Sequence, residues 1–162
     1  MYKIYTDGSC SKNGTKNAIG SAAYIIINDD NNIIIKGVKS KVGTTNQEME
    51  LLAPFLALNE LKCNDLLKND TQVVIYSDSA YLINCYNQKW YKNWELNGWR
   101  NAKKEPVANK MYWQSLIPYF KDNRFSFQKV KGHCDDYYNN YVDKMAQDCT
   151  KSNNKIYFLI KI

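Results

Sequence analysis

Four acidic residues, Asp7, Glu50, Asp78 and Asp143, carry the chemistry legible in this chain of 162 residues. Asp7 ends an apolar-rich run, Met1-Tyr-Lys-Ile-Tyr-Thr-Asp7, and Asp78 ends another, Gln72-Val-Val-Ile-Tyr-Ser-Asp78. Glu50 lies in the helical stretch Asn46-Gln-Glu-Met-Glu50-Leu-Leu-Ala, and Asp143 in Asn139-Asn-Tyr-Val-Asp143-Lys-Met-Ala. Carboxylates aimed at one point from strand ends and helices repel unless a cation neutralises them. Hard oxygen ligands of this kind suit Mg²⁺ or Mn²⁺. Metal-dependent phosphoryl chemistry is therefore the first expectation. Taken singly, Asp143 reads better as a solvent-facing residue in an early helical turn. Asp7 and Asp78, at apolar strand ends, resist that reading, and four such acids together resist it further.

The elements that must position them follow from periodicity. Residues 1–42 read as three strands, the second and third (19–28 and 33–42) flanking the polar turn Asp29-Asp30-Asn31-Asn32. Residues 45–62 read as a helix with Met49, Leu52, Phe55, Leu56 and Leu61 on its apolar stripe and Thr45 or Asn46 as its cap. Pro54, inside that helix, cannot donate to the Glu50 carbonyl and is expected to kink it there. A fourth strand covers 72–77, a short helix 79–87, a helix 107–120 that stops near Pro118, a fifth strand 124–130 and a last helix 137–150. Three strands followed by alternating helix and strand predict an α/β layer with a mixed sheet.

Composition sets the outer bounds. A hydrophobic fraction of 44% with 14% aromatics suits one domain with a core rather than a disordered chain. No apolar run approaches the ~20 residues of a membrane span, and no signal-peptide core precedes the first strand. Net charge is +6 although the proposed site alone holds four acids, so the remaining surface is basic and suits a polyanion. Lys, Asn, Ile and Tyr are all abundant, so charge by itself carries little weight. Five cysteines, Cys10, Cys63, Cys85, Cys134 and Cys149, are odd in number and form no C-x-x-C pair. They argue for a reducing compartment and against a disulfide framework. With His133 the only histidine, a zinc site is not expected.

Residues 88–110 set Lys89, Lys92, Arg100, Lys103, Lys104 and Lys110 against Glu95 and Glu105, with Trp90, Tyr91, Trp94 and Trp99 between them. Cations there can neutralise phosphates while aromatic faces pack on sugars or bases. The plainer alternative makes the tryptophans the core of a helical hairpin. We expect Trp94 and Trp99 to pack and Trp90 to face a nucleic-acid strand.

Tyr5-Thr-Asp7-Gly-Ser, Thr44-Thr-Asn-Gln-Glu-Met-Glu50-Leu, Tyr76-Ser-Asp78-Ser and Val130-Lys-Gly-His133, followed ten residues on by Asp143, together resemble type 1 ribonuclease H. They occur in order over about residues 1–150, and the basic segment resembles the protrusion of the bacterial-type enzymes. The resemblance implies an α/β ribonuclease H-like fold, a five-stranded mixed sheet of order 3-2-1-4-5 with helices on both faces. It implies a catalytic domain over 1–150, including the protrusion at 88–110, and leaves 151–162 as a C-terminal apolar tail. That tail reads as a short extra strand or core cover, or less readily as a partner-docking peptide. With Asp7 so close to Met1, no N-terminal hybrid-binding module is expected before it.

The implied activity is endonucleolytic hydrolysis of the RNA strand of RNA–DNA hybrids, leaving 3′-hydroxyl and 5′-phosphate ends. Two Mg²⁺ ions, for which Mn²⁺ can substitute, can supply nucleophile activation and charge neutralisation when about 4 Å apart. Asp7 would bridge both ions, Glu50 and Asp78 would hold the leaving-group ion, and Asp143 the ion that activates water. His133 would assist proton transfer or product departure, and Asn139 would support the site. Asn13, Asn46 and Gln47 match positions that read the minor groove or backbone, where amides sense 2′-hydroxyls without base order. Thr45 and Asn109 match part of a DNA-phosphate pocket. Its usual arginine is Gly43 here, for which Lys41 is a candidate replacement, and Ala80 stands where the family often has Gln. Trp90, Lys92, Arg100, Lys103 and Lys104 would grip the DNA strand.

Two rivals remain on the sequence. A 3′–5′ exonuclease on this scaffold wants an Asp-x-Glu pair on the first strand, whereas Asp7 is followed by Gly8 and Ser9. A non-catalytic hybrid-binding module would be signalled by a missing metal ligand, and none is missing. The expected setting is a monomer without membrane or protein partner, in the cytoplasm, or in the host-cell interior for a viral chain.

Overall fold

The computed structural model describes residues 1–130 and 136–152 in full and the backbone of residues 158–161. Strands β1 (Tyr2–Ser11), β2 (Ile19–Ile27) and β3 (Ile33–Val42) form an antiparallel meander. The β2–β3 turn closes through the Asn28 side chain, whose Oδ1 accepts from Asn32 N–H at 2.9 Å, with Asn31 in the left-handed region. Helix α1 (Asn46–Cys63) then crosses back to β4 (Val73–Ser77), which lies parallel to β1. Helices α2 (Ala80–Gln88), α3 (Trp90–Asn97) and α4 (Lys110–Lys121) lead to β5 (Phe125–Lys129), parallel to β4. Helix α5 (Tyr137–Lys151) follows.

The expected order 3-2-1-4-5 holds, with one addition. A sixth strand, β6 (Phe158–Lys161), pairs antiparallel with β3 and extends the sheet outward. Residues 158–161 of the apolar tail therefore form an edge strand. Two apolar layers cover the sheet. Ile4, Ile26, Ile35, Ile75 and Phe127 pack under α1 and α4 with Leu58, Leu61 and Trp113. Tyr5, Ala23, Ile25 and Val38 meet Val142 and Ala146 of α5 on the opposite face. Alternation along β1 explains the split, since Ile4 and Tyr5 point to opposite sides.

Three local expectations change. The apolar stripe foreseen on α1 omits Leu51, Ala53, Ala57 and Leu58, all buried, whereas Phe55 and Leu56 are only partly so. The sheet, α2 and α4 all pack against the helix, so no single stripe describes it. It also runs on past Pro54 to Cys63. Helix α4 begins at Lys110, after Asn109 in the left-handed region, and continues through Pro118 to Lys121. Pro118 is exposed, as is Gln114, whose carbonyl loses its helical partner and can turn to water. Buried Leu116, Ile117 and Phe120 hold that turn in place.

Candidate active site

Asp7 sits on β1 and is 8% exposed. The residue after it is what lets α1 approach: a Cβ on Gly8 would lie 2.6 Å from the Glu50 nitrogen and 2.8 Å from the Met49 carbonyl carbon. Only glycine allows this contact, which brings the α1 turn bearing Glu50 beside Asp7. Asp78 follows β4 directly and is exposed, while Asp143 lies two turns into α5 and is half-buried.

The acids act on one another in pairs. Burial pushes Asp7 up to about 8, with help from the Asp78 charge and from a hydrogen bond and charge at Asp143. The Gly8 N–H, donating at 2.9 Å to Asp7 Oδ1, opposes that rise only partly. Asp78 is raised by the protein packed around it and by Asp143, with Lys129 pulling the other way. Asp78 keeps this shift although its side chain reaches solvent, because β4 delivers it beside another acid. Glu50 is also raised, first by burial and then by Asp78, against hydrogen bonds from Ser79 and Asn46.

Glu50 is held differently from the other three. Asn46 Nδ2 donates to its Oε1 at 2.7 Å, and the Ser79 hydroxyl donates to Oε2. Among the described residues no group of three or more acids, cysteines or histidines stands close enough together to hold a metal ion. Glu50 is engaged by Asn46 and Ser79, and Asp78 acts on Asp7 as a charge rather than a hydrogen-bond partner. The donor set nevertheless fits a hard divalent cation: it is all carboxylate oxygen, and a bound positive charge reverses every one of these unfavourable shifts.

The sequence-derived substrate residues fall into two groups. The first surrounds the start of α1. Asn13 Oδ1 accepts from the Asn46 N–H at 2.9 Å, which links the β1–β2 loop to the helix. Thr45, not Asn46, is the cap, accepting from Glu48 N–H at 3.1 Å, so Asn46 is free to serve Glu50. Gln47 is exposed. Glu48 joins this turn to α4 through the Tyr112 hydroxyl at 3.2 Å, one turn beyond Asn109. Burial alone would raise Glu48, but hydrogen bonds from Lys41 and Thr44 outweigh it and hold its carboxyl low. Lys41, the candidate replacement for the pocket's arginine, is paired with Glu48. Gly43 takes φ +67°, a backbone state that favours glycine, so the departure has a conformational reason. Ala80 opens α2 and is exposed.

The second group lies on the protrusion. Lys92, Arg100, Lys103 and Lys104 are all exposed. The path there turns sharply through left-handed residues at Lys89, Gly98, Trp99, Lys104 and Asn109. Asn101 Oδ1 accepts from both Lys103 N–H and Glu105 N–H at 2.9 Å, and Arg100 Nη1 donates to the Lys104 carbonyl. The tryptophans do not divide as expected. Trp90, Trp94 and Trp99 are all half-buried, and Trp94 touches both neighbours and Trp113 with ring centroids 5.6–6.3 Å apart. Both sequence readings thus meet in one feature, a tryptophan core carrying an exposed basic rim.

Asn139 is one helical turn before Asp143, and Gln147 Nε2, one turn after, donates to Asp143 Oδ1 at 2.8 Å. His133 lies outside the described residues. Sequence reasoning missed Ser79, though a serine before a helical run is a readable cap signal, and its hydroxyl also accepts from Leu82 N–H. It missed Asp136, the cap of α5, which accepts from Tyr138 and Asn139 N–H at 3.1 Å.

Comparison with known proteins identifies the family. The RNase H family model matches residues 1–151. A ribonuclease H of Clostridium botulinum is 44% identical over 145 residues, 90% of this chain and 92% of that protein. One from Syntrophomonas wolfei is 40% identical over 149 residues, covering 92% and 95%. Among solved structures, a type 1 RNase H with the type 2 active-site motif superposes with a TM-score of 0.77 at 21% identity, covering 99% of this chain and 77% of that one. An RNase H solved in complex with an RNA/DNA hybrid gives 0.69 at 20% identity, covering 94% and 98%. Similarity at that identity bears on the fold alone.

Proposed function

This chain belongs to the ribonuclease H family, and we propose that it cuts the RNA strand of RNA–DNA hybrids endonucleolytically, using two Mg²⁺ ions held by Asp7, Glu50, Asp78 and Asp143. The observation that carries the reading is the crowding at Asp7: burial, with the nearby Asp78 and Asp143 carboxylates adding to it, pushes its carboxyl up to about 8. When bound, the two ions supply charge neutralisation on the phosphodiester and ease ionisation of the attacking water, and Mn²⁺ accepts the same ligands.

The chain's own residues then take separate roles. Asp7, beside Asp78 and Asp143, would be the carboxylate shared by the two ions. Glu50 and Asp78 serve the leaving-group side, and Asp143 the side from which water enters. His133 assists proton transfer or product departure. Products carry 3′-hydroxyl and 5′-phosphate ends. Asn13, Asn46 and Gln47 meet the hybrid's minor groove, Thr45 and Asn109 hold a DNA phosphate, and Asn139 supports Asp143. Trp90 with Lys92, Arg100, Lys103 and Lys104 grips the DNA strand.

Residues 1–150 make up the catalytic domain, with 88–110 as its protrusion and 151–162 as an accessory tail. Likeness to ribonuclease H proteins at 40–44% identity supports this substrate. No described helix is long and apolar enough to cross a membrane. The four described cysteines are all free, which suits a monomer working in a reducing cytoplasm. The test is cleavage of an end-labelled RNA–DNA hybrid beside duplex DNA and duplex RNA, with and without Mg²⁺. We expect Mg²⁺-dependent cuts in hybrid RNA only, within runs of several ribonucleotides and with little sequence preference. Efficient cutting at a lone ribonucleotide in duplex DNA, or equal cutting of all three duplexes, overturns the reading.

A further inference from the structure

Three of the four acids sit on elements that meet at one ring. β1 and β4 pair in parallel with Tyr5 opposite Tyr76, and the two rings stack with centroids 4.7 Å apart at 19°. Two residues beyond each tyrosine come Asp7 and Asp78. Asp7 shares the face of Tyr5 by strand alternation. The β1–β4 ladder ends at Thr6 and Ser77, so no further ladder pair sets the spacing of the two acids. The stacked tyrosines are the last ring contact between these strands before the acids.

The third element joins at the same place. Tyr138 of α5 rests on Tyr5 with centroids 5.4 Å apart, and α5 carries Asp143. Asp136, the cap of α5, accepts from two backbone N–H groups, and its carboxylate lies near enough to the Tyr5 hydroxyl to act on it. The Tyr138 hydroxyl donates in turn to the Asn31 carbonyl at 2.7 Å, which fixes the helix start to the β2–β3 turn. Tyr5 is buried, so its hydroxyl has a use a phenylalanine would not. Glu50 stands outside this arrangement, held by Asn46 and Ser79.

The geometry points to Tyr5 as a positioning residue: through its stack on Tyr76 and its hydroxyl beside Asp136, it sets the separation of Asp7, Asp78 and Asp143 against their mutual repulsion. This inference rests on the proposed metal-dependent hydrolysis and deepens it. Spreading three like charges is the relaxation expected if the ring contacts fail, and small misplacement of metal ligands is costly to catalysis.

The test compares Tyr5→Phe, Tyr76→Leu and Tyr76→Phe with the parent. Tyr5→Phe keeps the stack and loses the tie to Asp136, Tyr76→Leu loses the stack, and Tyr76→Phe is the control that keeps the ring. We expect the first two to lower kcat on the hybrid on the order of tenfold with KM unchanged, as outer supporting groups of metal sites do. The rise in melting temperature on adding Mg²⁺ should shrink in both, a readout independent of turnover. Tyr76→Phe should match the parent. If Tyr5→Phe and Tyr76→Leu are less stable yet keep the parent kcat and the parent Mg²⁺ response, the inference fails and the rings are merely core. If the parent does not cut the hybrid, the proposed function itself fails, an outcome recognisable before any variant is made.

Discussion

Asp7 and the protrusion lysines occupy opposite extremes. Asp7 is 8% exposed, flanked by Asp78 and Asp143, and fixed by β1 and the close approach of α1. Lys92, Lys103 and Lys104 stand in solvent on a path shaped by backbone turns and the Asn101 side chain. One region concentrates like charge where water is scarce and gains from a counter-ion. The other spreads opposite charge where water is plentiful and gains from a long polyanion. The contrast teaches that, on the proposed function, turnover and affinity would reside in different parts of the chain, so each could be removed with little effect on the other.

The largest expected effect comes from breaking the acidic region. Asp7→Asn removes the charge that balances the cations, which contribute several kcal/mol at the transition state, so cleavage should fall roughly a thousandfold or more. Hybrid binding, measured by fluorescence anisotropy, should persist, because the exposed cations are untouched. A variant cutting near the parent rate in Mg²⁺ would dissolve the contrast at its acidic end.

Asn46→Ala sharpens the boundary between the two regions, since Asn46 donates to Glu50 at 2.7 Å and also lies at a proposed groove contact. We expect cleavage to fall on the order of tenfold, as for groups that orient metal ligands, with little change in stability. Thr45→Ala should behave oppositely in stability, losing ~0.5–2 kcal/mol, because Thr45 is the cap. Parallel thermal melts and rate measurements on both proteins decide it; a cap-sized loss in Asn46→Ala would mean the assignments are exchanged.

Lys103→Ala with Lys104→Ala probes the basic end. KM should rise more than kcat falls, and the salt slope of hybrid binding should become shallower by about one per lost phosphate contact. An unchanged slope would move the grip away from the protrusion.

The smallest effect is on the metal-free protein. Asp7 titrates at about 8 in the fold against an ordinary value of 3.8. Between these values the native state keeps a proton that the unfolded chain has released. The stability this group contributes is thus complete below about 3.8 and declines as pH rises towards about 8. In a chelator, melting temperature should drop by a few degrees from pH 5 to pH 8, on the order of 1 kcal/mol or more. Asp7→Asn should flatten that decline, and Mg²⁺ should offset it in the parent. A parent that becomes steadily more stable over this range would contradict the crowding of acids at Asp7.

Strand ends, helix spans and the four acids were legible because each follows from local pattern: an apolar run closing on Asp, or a capped amphipathic stretch. Features that depend on contacts between distant segments were not. The α1 stripe misled because α2 and α4 also pack against the helix, a fact no window around residues 46–63 contains. The tie from Tyr5 to Asp136 joins residues at opposite ends of the chain, and nothing in either neighbourhood announces it. Pro118 was read as a stop because local rules weigh the lost hydrogen bond, whereas buried Ile117 and Phe120 keep the helix going. Lys41 looked free because its partner, Glu48, becomes adjacent only once β3 and α1 are folded together.

β6 has a consequence for how the molecule is made. It pairs with β3 from the far end of the chain, so during synthesis the outer edge of β3 stays open while all the intervening elements emerge. An unpaired edge is a template for another strand, and nascent chains on neighbouring ribosomes present many copies of it. β3 carries Lys36, Lys39 and Lys41, and repeated positive charge on an edge discourages identical strands from docking side by side. Positive charge along β3 would thus disfavour such docking until β6 covers the edge.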